Sequence, residues 1–434
     1  MSQSRRVVIT GLGLISPLGN SPEALWNALS SGVSGVDALS RVPVEHLTSD
    51  IGGECRDFTG DIADFGEVDK KLKRSIKRSL RLMCREIQLG VAAAHFAMED
   101  ASLEGHYDPS RIGTMFGSDY IITEPFEFAS GVGNCLGDAS DFEFGRWAED
   151  GLTKVEPTWL LKYLPNMPAS HVSILNDLQG PSNSLTVREA SANLAVAEAM
   201  TIIQRGSADA MIVGSTGSRI HPLRTVHVVM QEALADRHAQ GIDGDAGKAC
   251  RPFDAHRCGM VLGEGAGAIM MENLESAQQR GATIYGEVIG YGSSLVAPGG
   301  VPNFQKALEN VILGTQETAG IKAEDLGHVH AHGLSSVTVD QQEAAAIKGL
   351  LGDVPVTAAK SYMGNLGAGS GMVELIASVL AMKNDQLFPV LNYDSPDETC
   401  PINVVKEATS PGSMFLNLNC TPQGQASAVV VKSA

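Results

Sequence analysis

The sequence predicts an α/β fold, on three observations. Short runs rich in Val, Ile and Gly alternate with alanine-rich stretches of helical period. Hydrophobic residues make up 43% of the 434, enough for one large fused core or two domain-sized ones. No run approaches the roughly 18 apolar residues of a membrane span, so the chain reads as a cytoplasmic protein.

In chain order the strand signals are "RRVVITGLG", "IGTMFGS", "ADAMIVGST", "AGAIMMEN", "ATIYGEVIGYGSS", "HVHAHG" and "ASAVVVKS". Between them lie helical stretches such as "EIQLGVAAAHFAMEDASL" and "ANLAVAEAMTIIQRG". The glycines of "VVITGLGLISPLG" resemble a dinucleotide loop, but the spacing is not G-x-G-x-x-G and a proline stands where the helix should run, so that reading is discarded. "VVITGLG" and "GEVIGYGSS" echo one another as openings of two halves. The expected seam lies near 255–262, dividing the chain into 1–258 and 259–434, with no linker that would separate them.

Seven cysteines without C-x-x-C spacing suggest reduced thiols rather than disulfides or a zinc site. No metal or cofactor is called for. The formal charge of −18 argues against nucleic acid and anionic membranes as partners. The segment "KKLKRSIKRSLRLMCRE" (70–86) opposes that average with eight basic residues. On a helix, Lys70, Arg74, Lys77 and Arg81 share a face. It is either a solvated surface or a docking patch for an acidic partner.

Unusual polar residues stand in apolar or glycine-rich settings at four places: "TVREASANLAV" around Glu189, "HVHAHGLSSVTVDQQEA" around His332, "AAKSYMGNLGAGSG" around Lys360 and Asn365, and "NLNCTPQGQASAVVV" at 417–431. Each reads as a strand-to-loop transition, where site residues concentrate. His328, His330 and His332 alternate and so share a strand face.

Over nearly its whole length the chain resembles a β-ketoacyl-acyl-carrier-protein synthase of the elongating type. The resemblance rests on "RRVVITGLGLISPLGN", "PNMPASHVSILNDLQGPS", "GSADAMIVGST", "RPFDAHRCGMVLGEGAGAIMMENLESAQQRGATIYGEVIGYG", "HAHGLSS" followed by Asp340, "KSYMGNLGAGSGMVE" and "NYDSPDETC". It implies a thiolase-like five-layered αβαβα fold of two similar halves, usually dimeric, with the site between them. It also implies a cysteine at a buried helix start that takes an acyl chain from its carrier, and two histidines that help decarboxylate malonyl-carrier.

Carried over residue by residue, the resemblance exposes departures. Glu189 falls at the cysteine position, and Asn365 in "YMGN" replaces the second histidine. His332 in "HGLSS" and Lys360 in "KS" are kept, while the glycine-rich "GFGGTN" loop has become "NLNCTPQ". A carboxylate attacking a thioester would give an anhydride, so ordinary condensation is not expected. Three readings follow: a non-condensing, chain-length-factor-like partner of a cysteine-bearing ketosynthase; an enzyme using Glu189, His332 and Asn365 for malonyl-carrier decarboxylation or other acid/base chemistry; or a scaffold. Glu189 is expected to pair with His332 or Lys360, and Arg188 to serve as its partner or as an anion ligand. Asp340 and Glu343 are expected to orient the loop after His332. Acyl carrier protein is the expected partner, docking on Lys73, Arg74, Lys77 and Arg78, and the chain is expected to form a homodimer or a heterodimer.

Overall fold

The computed structural model describes residues 5–434 apart from 46, 139, 239, 240 and 243. Ten strands carry the architecture. The first five are β1 (Val7–Ile15), β2 (Ile112–Ser118), β3 (Ser182–Thr186), β4 (Ala210–Ser218) and β5 (Leu262–Asn273). The next five are β6 (Gly286–Leu295), β7 (His328–His330), β8 (Pro355–Thr357), β9 (Met414–Cys420) and β10 (Gln425–Lys432).

The spatial order is β1-β5-β4-β2-β3 in the first set and β6-β10-β9-β7-β8 in the second, the same permutation twice. Directions repeat as well. The first and last strands of each set pair antiparallel, as do the fourth and last, whereas the second strand runs parallel to the third and fourth. The two sheets meet where Val7, Val8 and Ile9 of β1 face Val288, Glu287 and Gly286 of β6.

This duplication corrects the expected seam. β5 hydrogen-bonds between β1 and β4, so it closes the first half, and the junction falls between Asn273 and Gly286 rather than at 258. The sequence break at 255–262 is the loop leading into that closing strand.

The principal helices are α1 (Lys70–Ser79), α2 (Arg85–Ala101), α3 (Ser191–Gln204), α4 (Pro222–Gln231), α5 (Phe304–Ala319), α6 (Val337–Leu351) and α7 (Ser370–Lys383). Successive residues of the central strands face different cores. Ile212 and Met270 pack with Ala93 of α2, while Val213 and Ile269 pack with Val196 of α3 and Val379 of α7. Val429 belongs to that same middle core, and Val430 faces Val311 of α5 and Ile347 of α6. Period-two alternation with both faces apolar is what a sheet covered on both sides requires. The layers are therefore α2, first sheet, α3 with α7, second sheet, and α5 with α6, the five-layered αβαβα arrangement of two similar halves that the resemblance implies. Among the described residues no helix is long and apolar enough to cross a membrane.

Gly11 and Gly13 explain the glycine pattern of the opening strand. A Cβ at either position would lie 2.2 Å from a carbonyl oxygen of α2, that of Ala97 or Ala93. The glycines admit a helix against the sheet rather than a phosphate.

His328 and His330 share a face, as their alternation predicts, and Ser378 of α7 sits between them. His328 donates from Nδ1 to the Pro411 carbonyl at 2.7 Å, so its Nε2 accepts from Ser378 Oγ at 3.0 Å. His330 accepts the Ala359 N–H on Nε2 at 3.1 Å, so its Nδ1–H donates to Ser378 Oγ at 2.8 Å. Burial lowers His328 to about 4 and His330 well below the usual value. Both are neutral when folded and bind protons when unfolded, so stability falls as pH drops from about 6.5 toward 4. Ser378→Ala should cost about 1–3 kcal/mol by leaving a buried donor and a buried acceptor unpaired, measured by urea denaturation at pH 7; a loss under 0.5 kcal/mol would reject the bridge.

Candidate functional site

In both halves the second, third and fourth strands run parallel, and their C-terminal ends converge. From β2, β3 and β4 the chain continues into Asp119, Arg188–Glu189 and Arg219; from β7, β8 and β9 it continues into His332, Lys360–Asn365 and Thr421. Ligand sites in open α/β sheets form at such ends. A cavity of about 270 Å³ lies there, lined by Glu189, Glu232, His332, Asn365, Cys420 and Phe304 among others.

Glu189 sits on a short 3-10 turn, Arg188–Ala190, that runs into α3. Arg188 is held at φ 51°, a left-handed conformation costing about 1–3 kcal/mol for a non-glycine residue. Ser191 fixes the turn by accepting the Val187 N–H at 2.9 Å and donating to the Ser118 carbonyl at 2.9 Å.

The Glu189 carboxylate is buried, and its Oε1 forms an ion pair with Arg219 Nη2. Asn365 Nδ2 donates to the same oxygen at 3.2 Å. Charges then alternate through the interior. Arg219 Nη1 and Arg188 Nη2 donate to Glu232 Oε1 at 3.2 and 2.8 Å, and Arg224 pairs with Asp119. Burial lowers Arg219 to about 10 against the opposing pull of Glu232, so the guanidinium stays charged at neutral pH.

The expected pairing of Glu189 with Lys360 or His332 is thus corrected: Arg219 is the partner. Lys360 is already engaged, donating from Nζ to Glu374 Oε1 at 2.5 Å and to His332 Nδ1 at 3.3 Å. It stands behind His332 rather than in the cavity wall. Arg188 does reach Glu189, at 3.7 Å, but its closer contact is Glu232.

His332 Nδ1 also accepts the Cys420 N–H at 3.5 Å. With two donors at Nδ1, the ring proton resides on Nε2, which makes no hydrogen bond among the described residues. Burial, reinforced by Lys360 and Arg219, holds His332 well below the usual histidine range, so the ring is neutral. Glu343 accepts the His332 and Gly333 N–H groups at 2.6 and 2.8 Å, and Asp340 accepts those of Leu334, Ser336 and Phe253. Burial raises Asp340 to about 6 and Glu343 to about 8, against those backbone donors. The two acids hold the loop that follows His332.

The sequence reading passed over Arg219, Glu232, Asp119, Arg224 and Glu374. Two of them carried a signal: Arg219 is a lone charge closing the small-residue run "VGSTGS", and Glu374 a lone acid in the apolar helix "GMVELIASVL".

The basic segment 70–86 lies apart from this network. α1 begins at Asp69, whose side chain accepts the Lys71 and Leu72 N–H groups. Ile76 faces the core while Lys73, Arg74, Lys77 and Arg78 are exposed. None of these four forms an ion pair among the described residues. Arg85 turns inward to Glu264 at 2.7 Å.

Comparison with known proteins matches this architecture to one family. The β-ketoacyl synthase N-terminal domain covers residues 4–277 and the C-terminal domain residues 285–394, which places the junction of the halves between β5 and β6. The chain belongs to the β-ketoacyl synthase family, the ketosynthases of fatty acid and polyketide biosynthesis. It is 34% identical over 420 residues to a 3-oxoacyl-[acyl-carrier-protein] synthase 2 of Staphylococcus aureus, covering 93% of this chain and 92% of that one. The enzyme of the same name from Coxiella burnetii is 33% identical over 414 residues, covering 93% and 92%. Among solved structures, a type II polyketide acyl-carrier protein in complex with its ketosynthase bound to the hexaketide gives a TM-score of 0.82 at 25% identity over the whole of both chains. The ishigamide ketosynthase/chain length factor gives 0.83 at 24%, also over both whole chains, a likeness of fold.

Removing Arg219 should leave the buried Glu189 carboxylate without its close cation, whereas Glu232 keeps Arg188 at 2.8 Å. Arg219→Met is expected to cost about 3–5 kcal/mol, and adding Glu189→Gln should recover part of it, giving a coupling of at least about 1 kcal/mol in a double-mutant cycle followed by urea unfolding. Additive losses would reject the ion pair.

Proposed function

We propose that this chain is a non-condensing member of its family, a chain-length-factor-like partner of a cysteine-bearing ketosynthase that binds acyl carrier protein. The buried pairing of Glu189 with Arg219 carries the reading. Counted from "GPS", Glu189 stands at the family's cysteine position. An acyl transfer there would form an anhydride rather than a thioester; a guanidinium and an amide engage Oε1 of the carboxylate, while its Oε2 has no hydrogen-bond partner among the described residues. A thiol does line the cavity, that of Cys420. Burial pushes it well above the usual thiol range, with Glu343 adding to the shift, so it is not a thiolate and not a replacement nucleophile.

A second reading, decarboxylation of malonyl-carrier, is favoured by the free Nε2–H of His332, a donor that suits a developing enolate oxygen. Asn365 opposes it. Its Nδ2 hydrogens go to Glu189 Oε1 and to Met260 Sδ at 3.1 Å, leaving no second donor for that oxygen. Two carboxylates in the cavity lining also disfavour a further negative charge.

Carrier binding is supported by the exposed, unpaired Lys73, Arg74, Lys77 and Arg78 on a chain of net charge −18, and by the carrier complex of the structural relative.

With acyl- and malonyl-carrier substrates the purified chain should give no elongated product and no acyl adduct on any of its seven cysteines by intact-protein mass. Elongation would defeat the proposal. Release of carbon dioxide without elongation would favour the second reading. For docking, reversing Arg74, Lys77 and Arg78 to glutamate should weaken carrier binding about tenfold or more at low salt while leaving the unfolding midpoint in place, because surface charges are screened only beyond about 8–10 Å at physiological ionic strength. Equal binding by the triple variant would reduce α1 to a solvated helix face.

A further inference from the structure

On the side of Glu232 the 270 Å³ cavity ends at the charge lattice. Beyond that end lies an open depression of about 620 Å³, and Gln231 and Thr421 line both spaces. Glu232 lines the first and Arg188 the second, so the 2.8 Å ion pair between them spans the wall. The two side chains are close to fully buried, Arg188 at 11% exposure and Glu232 at 8%.

A wall of this kind resists a hydrocarbon differently from a wall of methylenes. An apolar side chain can move to another rotamer and stay in apolar contact. Parting Arg188 from Glu232 with an alkyl chain would instead leave two charges facing hydrocarbon. The pair is also braced from both ends. Glu232 accepts from Arg219 Nη1 at 3.2 Å, and Arg188 stands in the left-handed turn that Ser191 fixes through the Val187 N–H.

We infer that the Arg188–Glu232 ion pair is the length-determining element of this chain, a closed end that admits a short acyl group and refuses a long one. The inference rests on the reading that the cavity holds carrier-borne acyl groups. It assigns the limit to charge pairing between two side chains rather than to the bulk of the lining.

The test is calorimetric binding of hexanoyl and dodecanoyl pantetheine, each below its micellar concentration, to the full-length protein. Burial alone would favour dodecanoyl, because each further methylene removed from water strengthens binding. The wild type should instead bind hexanoyl about tenfold or more tightly than dodecanoyl, as a closed pocket does when it excludes added methylenes. Arg188→Gly opens the wall at a position whose left-handed backbone suits glycine, and it should abolish or reverse the preference. If it fails to fold, Arg188→Asn, shorter than arginine and tolerant of the same backbone, should reduce it. Glu232→Gln, which keeps the bulk and removes the charge, should reduce it as well. Equal or tighter binding of dodecanoyl to the wild type, or a preference that a substitution at either position leaves unmoved, would overturn the inference while leaving acyl binding intact. Binding of neither thioester by the wild type would overturn the acyl-site reading itself, and the length limit with it.

Discussion

A guanidinium with no exposure to solvent must be neutralised by carboxylates at contact distance, and Arg219 imposes that demand at the centre of this protein. Removing such an ion from water costs several kcal/mol, offset here by charge pairing and a hydrogen bond from Nη1, since Arg219 Nε and Nη2 have no hydrogen-bond partner among the described residues. Glu189 and Glu232 supply the charges, and Arg188 must then approach Glu232 from the other side. That approach helps fix the left-handed turn at Arg188, which in turn sets where α3 begins. Glu189 is therefore a member of an interior lattice of charges as well as part of the cavity lining.

The duplicated topology divides the labour. The strand ends of the first half deliver the alternating ions Asp119, Arg188, Glu189 and Arg219. Those of the second half deliver His332, Asn365 and Thr421, groups without charge at neutral pH, backed by the Lys360–Glu374 pair. Asn419 completes that pair by donating to Glu374 Oε2 at 2.7 Å. Two halves of one design thus meet with different electrostatics: one side is ionic and locked, and the other presents a neutral imidazole with a free N–H.

Much of this was legible in the sequence where the signal was local. β4, β5 and β10 read as strands because both faces are apolar, and the echo between "VVITGLG" and "GEVIGYG" marked β1 and β6, the opening strands of the two halves. β3 went unread because "SNSLT" is an edge strand with polar faces, and β8 because three residues are too few to show a period. The seam was misplaced because a closing strand is defined by its neighbours in space. The site divides in the same way. Glu189, His332, Lys360 and Asn365 stood out as polar residues at strand ends, but the partner of Glu189 could not be read, since Arg219 lies thirty residues on and meets it only when β3 and β4 are folded to either side of β2.

The cost of the His332 side bears on the proposed role. Lys360, Glu374, Asp340 and Glu343 are all fully or almost fully buried, and well-packed apolar residues in their place would avoid the desolvation they incur. What that cost secures is one imidazole, neutral, with its Nδ1 occupied and its Nε2–H directed away from its supports. On the reading proposed, a donor facing no thiolate, since burial holds the Cys420 thiol of the cavity lining well above the usual range, can hold a thioester carbonyl but not cleave it. Across the same cavity Arg219 pairs with one oxygen of Glu189, and an anhydride formed on the other would lack the ready exchange of a thioester. On that reading these two features have one consequence: the acyl group stays on its carrier, and the walls around it act on its length rather than on its bonds.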